Sequence, residues 1–417
     1  MLNLGNTFNI CCFLDNNNYA SIYHQNEAIL AADALDTLSC NAGNAFSALQ
    51  EYYDKQPDWL FGHLGYDLKN ETFNKNDTSH TLQSLHPDHI NFPDLFFFRP
   101  RFIMLLEQGR VKIGGWNLDH AGATLIYNQC LAMPASQITN HSSPEAAAYL
   151  DKEAYLESVK ALQRHILRGD CYEVNFCREN YITDVVVNPL TLFQRLNTLS
   201  PAPFAAYYRV NDKYLVCSSP ERFMQKKGPL VISQPIKGTI RREDDAVADA
   251  FNRQALLQNS KERAENVMVV DLVRNDLSHT ASPGTVKVTE LFGIYSFAHV
   301  HHMISTVTAI PEPGLPFTEI IRQAFPMGSM TGAPKLRVLQ LIEEYEKSRR
   351  GLFSGALGYI TPEGDFDFNV VIRSILYNEA NRYLSFPTGS AITYYADPEK
   401  EWEECLLKAA SMKKVLE

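Results

Sequence analysis

The sequence predicts an α+β fold, and three observations carry that expectation. Apolar residues recur at three- and four-residue spacing in several separated stretches, the period of helices packed on one face. Strand-like runs joined by short turns lie between them. Helices and hairpins do not alternate as regular βαβ units, which argues against a doubly wound parallel sheet.

The elements follow in chain order. Residues 69–91 are rich in Asn, Thr, Ser and His and read as a long surface excursion. Residues 134–144 form a second loose stretch. It is the expected boundary between an N-terminal part, 1–140, and a larger region, 145–417. Tyr155, Val159, Leu162 and Ile166 then mark a helix that Gly169 ends. Strands are expected over 204–209 and 213–217, joined by a turn at Asn211-Asp212. Residues 261–277 read as a helix with Val267, Val270 and Val273 along one side. Pro334 suits a first helical turn, and 336–345 continue as an amphipathic helix. Residues 352–361 and 366–376 predict a hairpin around Pro-Glu-Gly-Asp. A last helix carries the stripe Trp402, Cys405, Ala409, Met412 and Leu416.

Composition narrows the function classes. The chain has 417 residues, 45% hydrophobic and 21% charged, which suffices for a sizeable core. Its formal charge of −10 makes it a poor general nucleic-acid binder, so any anionic ligand needs local cations. No apolar run approaches the ~20 residues of a membrane helix. The start, MLNLGNTFNICC, lacks the features of a secretory signal. The eight cysteines form no CxxC pair, which predicts reduced cytoplasmic thiols and neither disulfides nor a zinc site.

Several residues are candidates for chemistry. Residues 328–335 (GSMTGAPK) suit either an anion-binding helix N-terminus or a tight turn. Glu262 and Glu265 are three apart on one expected helix, and Glu404 and Lys408 four apart on another. Solvated ion pairs are the bland reading. Alternatively, carboxylates from the two helices hold Mg²⁺ together with a substrate carboxylate. Lys237, set between Pro-Ile and Gly-Thr, is either an exposed turn lysine or, if buried, a nucleophile. His302 is either a core histidine or a catalytic one.

Taken together and in order, these segments resemble a known family. They are SSPERF (218–223), PIKGT (235–239), ERAENVMVVDLVRNDL (262–277), HHMISTV (301–307), FPMGSMTGAPK (325–335), GALGYI (355–360), VVIRS (370–374), GSAI (389–392) and EWEECLLK (401–408). WLFGHLGYD (59–67) is a weaker echo. The chain is similar to the chorismate-utilising enzymes, component I of anthranilate and aminodeoxychorismate synthases. The resemblance implies a single large unit of stacked antiparallel β-sheets flanked by helices, with the active site in a deep cleft. It makes Glu265 and Glu404 ligands of Mg²⁺, with Glu262 adjacent. Arg373 and Tyr359 become binders of the enolpyruvyl carboxylate of chorismate. The backbone at Gly389, Ser390 and Ala391, with Lys408, assists. Gly238, Thr239, His302 and Ser329 complete the substrate-binding set. The family usually has glycine where Ala391 stands.

The resemblance also separates the branches. Anthranilate and isochorismate formers typically carry alanine at the position of Lys237, whereas a lysine there resembles the aminodeoxychorismate synthases. In that branch the lysine adds to ring C2, and Glu221 acts as general acid for the C4 hydroxyl. Ammonia then attacks C4 and expels the lysine. A depressed lysine pKa is expected from burial and the cations Arg373, Lys408 and Mg²⁺. Water-adding members carry a lysine base in the GDxYxV segment, where this chain has Glu173; glutamine is commoner there in ammonia-using members. No cysteine sits on a glutaminase elbow. The expected partners are therefore ammonia or a separate glutamine amidotransferase, and a separate lyase for the product. The rival readings are an anthranilate-forming component I and a non-catalytic, chorismate-binding paralogue. No tryptophan-binding serine motif is evident near Asn9, so feedback by tryptophan is not expected.

Overall fold

Runs that are apolar at nearly every position become strands covered on both faces. Leu60–Leu64 and Ser374–Asn378 are buried throughout. These strands lie in a continuous antiparallel sheet. The computed structural model describes residues 1–19, 23, 26–73, 82–134 and 145–417. From one edge, Ala147–Ala148 pairs with Asn180–Ile182, followed by Tyr383–Ser385, Ser374–Asn378, Lys213–Ser219, Phe204–Val210, Ile10–Asp15 and Ala28–Cys40. Ala28–Cys40 and Leu95–Glu107 have 13 residues each and pair along their length. A register shift between Ala34 and Asp36 bends them. The order continues through Leu60–Leu64, Ala356–Ile360, Phe366–Val370, Arg222–Lys227, Leu230–Gln234 and Val300–Ala309. Val300–Ala309 also pairs with Ile236–Arg241 and Lys287–Ser296. Strands from the first 134 residues thus hydrogen-bond directly to strands from the rest.

A small second sheet has Glu173–Arg178 at its centre, between Gly332–Ala333 and Thr388–Ile392. Helices flank both sheets. Lys152–Arg168 is capped by Asp151 and ends at Gly169, whose φ of 87° few other residues tolerate. Asn259 caps Ser260–Ser278. The C-terminal helix Pro398–Leu416 buries Cys405, Ala409, Met412 and Leu416, the expected stripe, and leaves Trp402 half-buried.

Four expectations change. The helix 261–277 buries Val269, Val270 and Val273, while Val267 is 46% exposed, because the buried face runs through Asn266, Val269, Val270, Val273 and Leu277 and Val267 lies off it. The strand expected over 366–376 is two strands. Phe366–Val370 pairs with Arg222–Lys227 and Ser374–Asn378 with Lys213–Ser219, so the chain changes neighbours between them. The excursion 69–91 begins inside the protein: Lys69 is fully buried against Asp67 and Glu343. Pro334 precedes the helix Lys335–Tyr345 as its cap residue rather than lying in its first turn. Residues 74–81 and 135–144, the second being nearly the whole expected boundary, lie outside the described residues.

One buried ion pair ties the small sheet to its surroundings. Arg350 binds both carboxylate oxygens of Glu346 and donates to the carbonyls of Met330 and Asn175. Glu346 in turn accepts the Cys177 backbone N–H. Removing one member of such a pair strands the other charge. Arg350→Ala is therefore expected to lower unfolding free energy by ~3–5 kcal/mol. Urea denaturation measures this, and a loss below about 1 kcal/mol contradicts the assignment.

Candidate active site

Three elements bring Lys237 into a cleft of carboxylates. Its strand, Ile236–Arg241, kinks at Gly238, where φ is +90°. A Cβ added there would lie 3.1 Å from Glu262 Oε2, so glycine permits the close approach of strand to helix. The Lys237 side chain is only 10% exposed, and its Nζ lies 2.5 Å from Glu173 Oε1. Glu173 opens the central strand of the small sheet and is itself buried. Burial alone would lower the lysine pKa. Glu173, then Glu265 and Glu221, outweigh it and raise the amine above its ordinary range. The expected depression is thus overturned: the dominant neighbour of this lysine is an anion, not the cations that sequence reasoning placed around it.

Glu221 sits between the strands Lys213–Ser219 and Arg222–Lys227 and is buried. Burial pushes its carboxyl up to about 7; the Ser329 hydroxyl, Lys237, the Ile236 backbone and Lys408 offset only part of that. A carboxyl poised there can give or take a proton near neutrality.

A second group of carboxylates comes from two helices. Ser260–Ser278 supplies Glu262 and Glu265, and Pro398–Leu416 supplies Glu401 and Glu404. Burial raises Glu262 and Glu401, and lifts Glu265 to about 7. Glu404 behaves differently: burial would raise it, but Lys408, 2.6 Å away, holds it below the usual range. Lys261 Nζ lies 3.6 Å from Glu265 and 3.8 Å from Glu401. Glu265 Oε1 is buried and accepts no hydrogen bond. An oxygen-only set in which one acceptor makes no hydrogen bond, only the 3.6 Å ion pair with Lys261, suits a hard divalent cation that keeps water and substrate ligands. Among the described residues no three acidic, His or Cys side chains close a complete cage. Glu401 was not among the sequence candidates. Its signal is the spacing, since Glu401 and Glu404 repeat the three-residue step of Glu262 and Glu265.

The remaining candidates divide. His302 Nδ1 lies 2.8 Å from Thr239 Oγ1; burial, then Arg373, lower its pKa to about 3, so the ring is neutral. Arg373 stands at the strand change with φ 52°, a left-handed conformation that costs a non-glycine residue energy. Glu404 partly offsets the burial that lowers its pKa. Lys408 donates to the Gly389 carbonyl at 2.8 Å, and the Ser390 hydroxyl meets Tyr155 Oη at 2.9 Å. Ala391 pairs with Asn175, two residues from Glu173. Ser329 lies in the turn Gly328–Met330, and Lys335 binds Asp276, so 328–335 is a packed turn and not an open anion site. Tyr359 does not join Arg373. Its ring packs on Trp59 and Phe61, and the charges around it are Asp367, Arg222 and Asp365. Strand alternation along Ala356–Ile360 carries it into this aromatic group.

The profile of the chorismate binding enzyme family matches residues 9–414. Aminodeoxychorismate synthase component 1 of Bacillus subtilis is 34% identical over 85% of this chain and 76% of its own length. An anthranilate synthase component I-like protein of Synechocystis is 32% identical over 90% of this chain and 76% of its own. The crystal structure of anthranilate synthase component I from Streptococcus pneumoniae superposes with a TM-score of 0.78 at 24% identity, covering 94% of this chain and 93% of that one.

The raised Glu221 carboxyl has a stability consequence. A carboxyl raised from 4.5 to about 7 favours the folded state at low pH and loses that contribution as pH rises through 7. Glu221→Gln, permanently neutral, should match the wild type near pH 4. By pH 8.5 it should be more stable by on the order of 2 to 3 kcal/mol. Denaturant melts across this range test it; an equal difference at both pH values is the contrary result.

Proposed function

The chain belongs to the chorismate binding enzyme family, and on that premise we propose that it is component I of an aminodeoxychorismate synthase. It converts chorismate and ammonia to 4-amino-4-deoxychorismate, a precursor of para-aminobenzoate and folate. The observation that carries this reading is Lys237, a buried amine in a cleft with Glu173, Glu221 and Glu265. An anthranilate-forming component I has no role for that amine.

Glu265 and Glu404, with Glu262 and Glu401 beside them, would hold Mg²⁺, which when bound neutralises the ring carboxylate of the substrate. Arg373 and Lys408 offer positive charge to the second carboxylate. The neutral His302, fixed by Thr239, gives an uncharged wall. Lys237 Nζ adds to C2 as the C4–O bond breaks. The proton of Glu221 leaves with the hydroxyl as water. Ammonia then forms the C4–N bond, the C2–N bond breaks, and Lys237 is released. The resulting C4 ammonium returns a proton to Glu221, which closes the cycle. We place the ammonia source in a separate glutamine amidotransferase, the next step in a separate lyase, and the enzyme in the cytoplasm. No helix among the described residues is long and apolar enough to cross a membrane, and all eight cysteines are unpaired.

Product analysis tests this. Chorismate, Mg²⁺ and ammonium should give a product that retains its enolpyruvyl group and yields para-aminobenzoate only after lyase is added. A chelator should stop the reaction. Glutamine should support it only with an amidotransferase present. Lys237→Ala should lose about 10²-fold or more in rate with the fold intact. Release of pyruvate with fluorescent anthranilate, or a wild-type rate from Lys237→Ala, overturns the reading.

A further inference from the structure

Glu173 was a departure without an explanation in sequence, and its contacts supply one. It is buried, and among the described residues its Oε1 is the one side-chain oxygen that accepts a hydrogen bond from Lys237. Its place is fixed from two sides. The backbone of Glu173 pairs with Ala333. The neighbouring Gly332 could not carry a side chain, because a Cβ would fall 2.0 Å from the Glu173 carbonyl oxygen. Two residues on, Asn175 donates to the Ser329 carbonyl and gives its own carbonyl to Arg350.

We propose that Glu173 is the positioning residue and proton acceptor for Lys237: it aims the amine into the cleft, takes its proton before attack and returns it after release. The inference rests on the covalent role proposed above for Lys237. The other charges facing this amine are Glu265 and Glu221, and Glu262 and Glu404 also feel it. Glu221 is committed to the C4 hydroxyl, and the two helices' carboxylates to the metal and ring carboxylate. Only Glu173 is both in contact and unassigned.

The step balances. The resting pair is Lys237-NH₃⁺ with Glu173-COO⁻. Proton transfer gives Lys237-NH₂ and Glu173-COOH, two neutral groups, which a desolvated cleft tolerates better than water does. The amine's lone pair forms the C2–N bond and leaves a secondary ammonium. When ammonia attacks C4, the C2–N bond electrons return to nitrogen and regenerate the neutral amine. Glu173-COOH then gives its proton back. No external base is needed, although the resting lysine is cationic.

Glu173→Gln and Glu173→Asp separate this from a merely structural ion pair. Gln keeps the size and a hydrogen-bonding oxygen but cannot accept the proton. Asp keeps the acceptor on a shorter arm. With chorismate and Mg²⁺ but no ammonia, mass spectrometry should show the adduct on the Lys237 peptide forming at least ~30-fold more slowly in Glu173→Gln. Its kcat should fall comparably, with KM for chorismate within about threefold of wild type. Glu173→Asp should recover part of the rate. Raising the pH should speed Glu173→Gln more than the wild type, because bulk base replaces the lost acceptor. Wild-type adduct formation in Glu173→Gln, or a rise in KM with kcat unchanged, overturns the inference and leaves the role of Lys237 standing. Absence of any Lys237 adduct in the wild type overturns the proposed function instead.

Discussion

The geometry of the cleft hangs on the Arg350–Glu346 pair beneath it. Among the described residues Arg350 makes no hydrogen bond to a candidate catalytic group. It holds the carbonyl of Met330, next to Ser329, and that of Asn175, two residues from Glu173. Glu346 holds the backbone of Cys177 on the same strand. Two segments distant in sequence are thereby locked to one buried guanidinium. Arginine suits this work because its planar fork satisfies several acceptors at fixed angles and stays charged when buried. The second of those segments carries the carboxylate that meets Lys237, so the position of the amine is inherited from an ion pair outside the site.

The cleft also explains how an acidic chain accommodates an anion. Burial raises Glu262 and Glu401, and lifts Glu221 and Glu265 to about 7, so part of the charge of these last two is held as neutral acid near neutral pH. Lys237, Lys261 and Lys408 are each paired with a carboxylate. Such an arrangement is costly in the absence of ligand, because each buried charge is only partly compensated. In the proposed reaction a divalent cation would add positive charge to the acidic side and a dicarboxylate negative charge to the basic side. Such ligands would offset part of the cost of the buried charges.

Much of this was legible in the sequence, for identifiable reasons. The end of the helix Lys152–Arg168 announced itself through Gly169, because caps are local chemistry. The Asn211-Asp212 turn was readable for the same reason: Asn211 takes φ 56° between two paired strands. The paired carboxylates of the helix Ser260–Ser278 follow from a three-residue step. What was not legible depends on neighbours distant in sequence. The raised pKa of Lys237 is set by Glu173, 64 positions away. Tyr359 lies in one of the family-like segments, yet its side-chain direction is decided by the aromatic group it packs against. Lys69 looks like the start of a polar loop until Asp67 and Glu343 are seen around it.

The missed strand break has the largest bearing on function. A single strand over 366–376 would pair with one neighbour and place Arg373 in regular, alternating register. Instead the chain leaves Arg222–Lys227 and joins Lys213–Ser219, and the Glu221 loop lies between those two neighbours. The backbone of that loop is held to the crossing, since Val370 N–H donates to the Glu221 carbonyl and Ser218 N–H to the Arg373 carbonyl. Arg373 is forced into a left-handed conformation at the same point. One change of strand partner thus sets both the buried acid and the arginine. A site built where a sheet changes neighbours can present side chains that a continuous ladder would turn to opposite faces. That is a physical reason for the proposed chemistry to sit at this crossing rather than along any one strand.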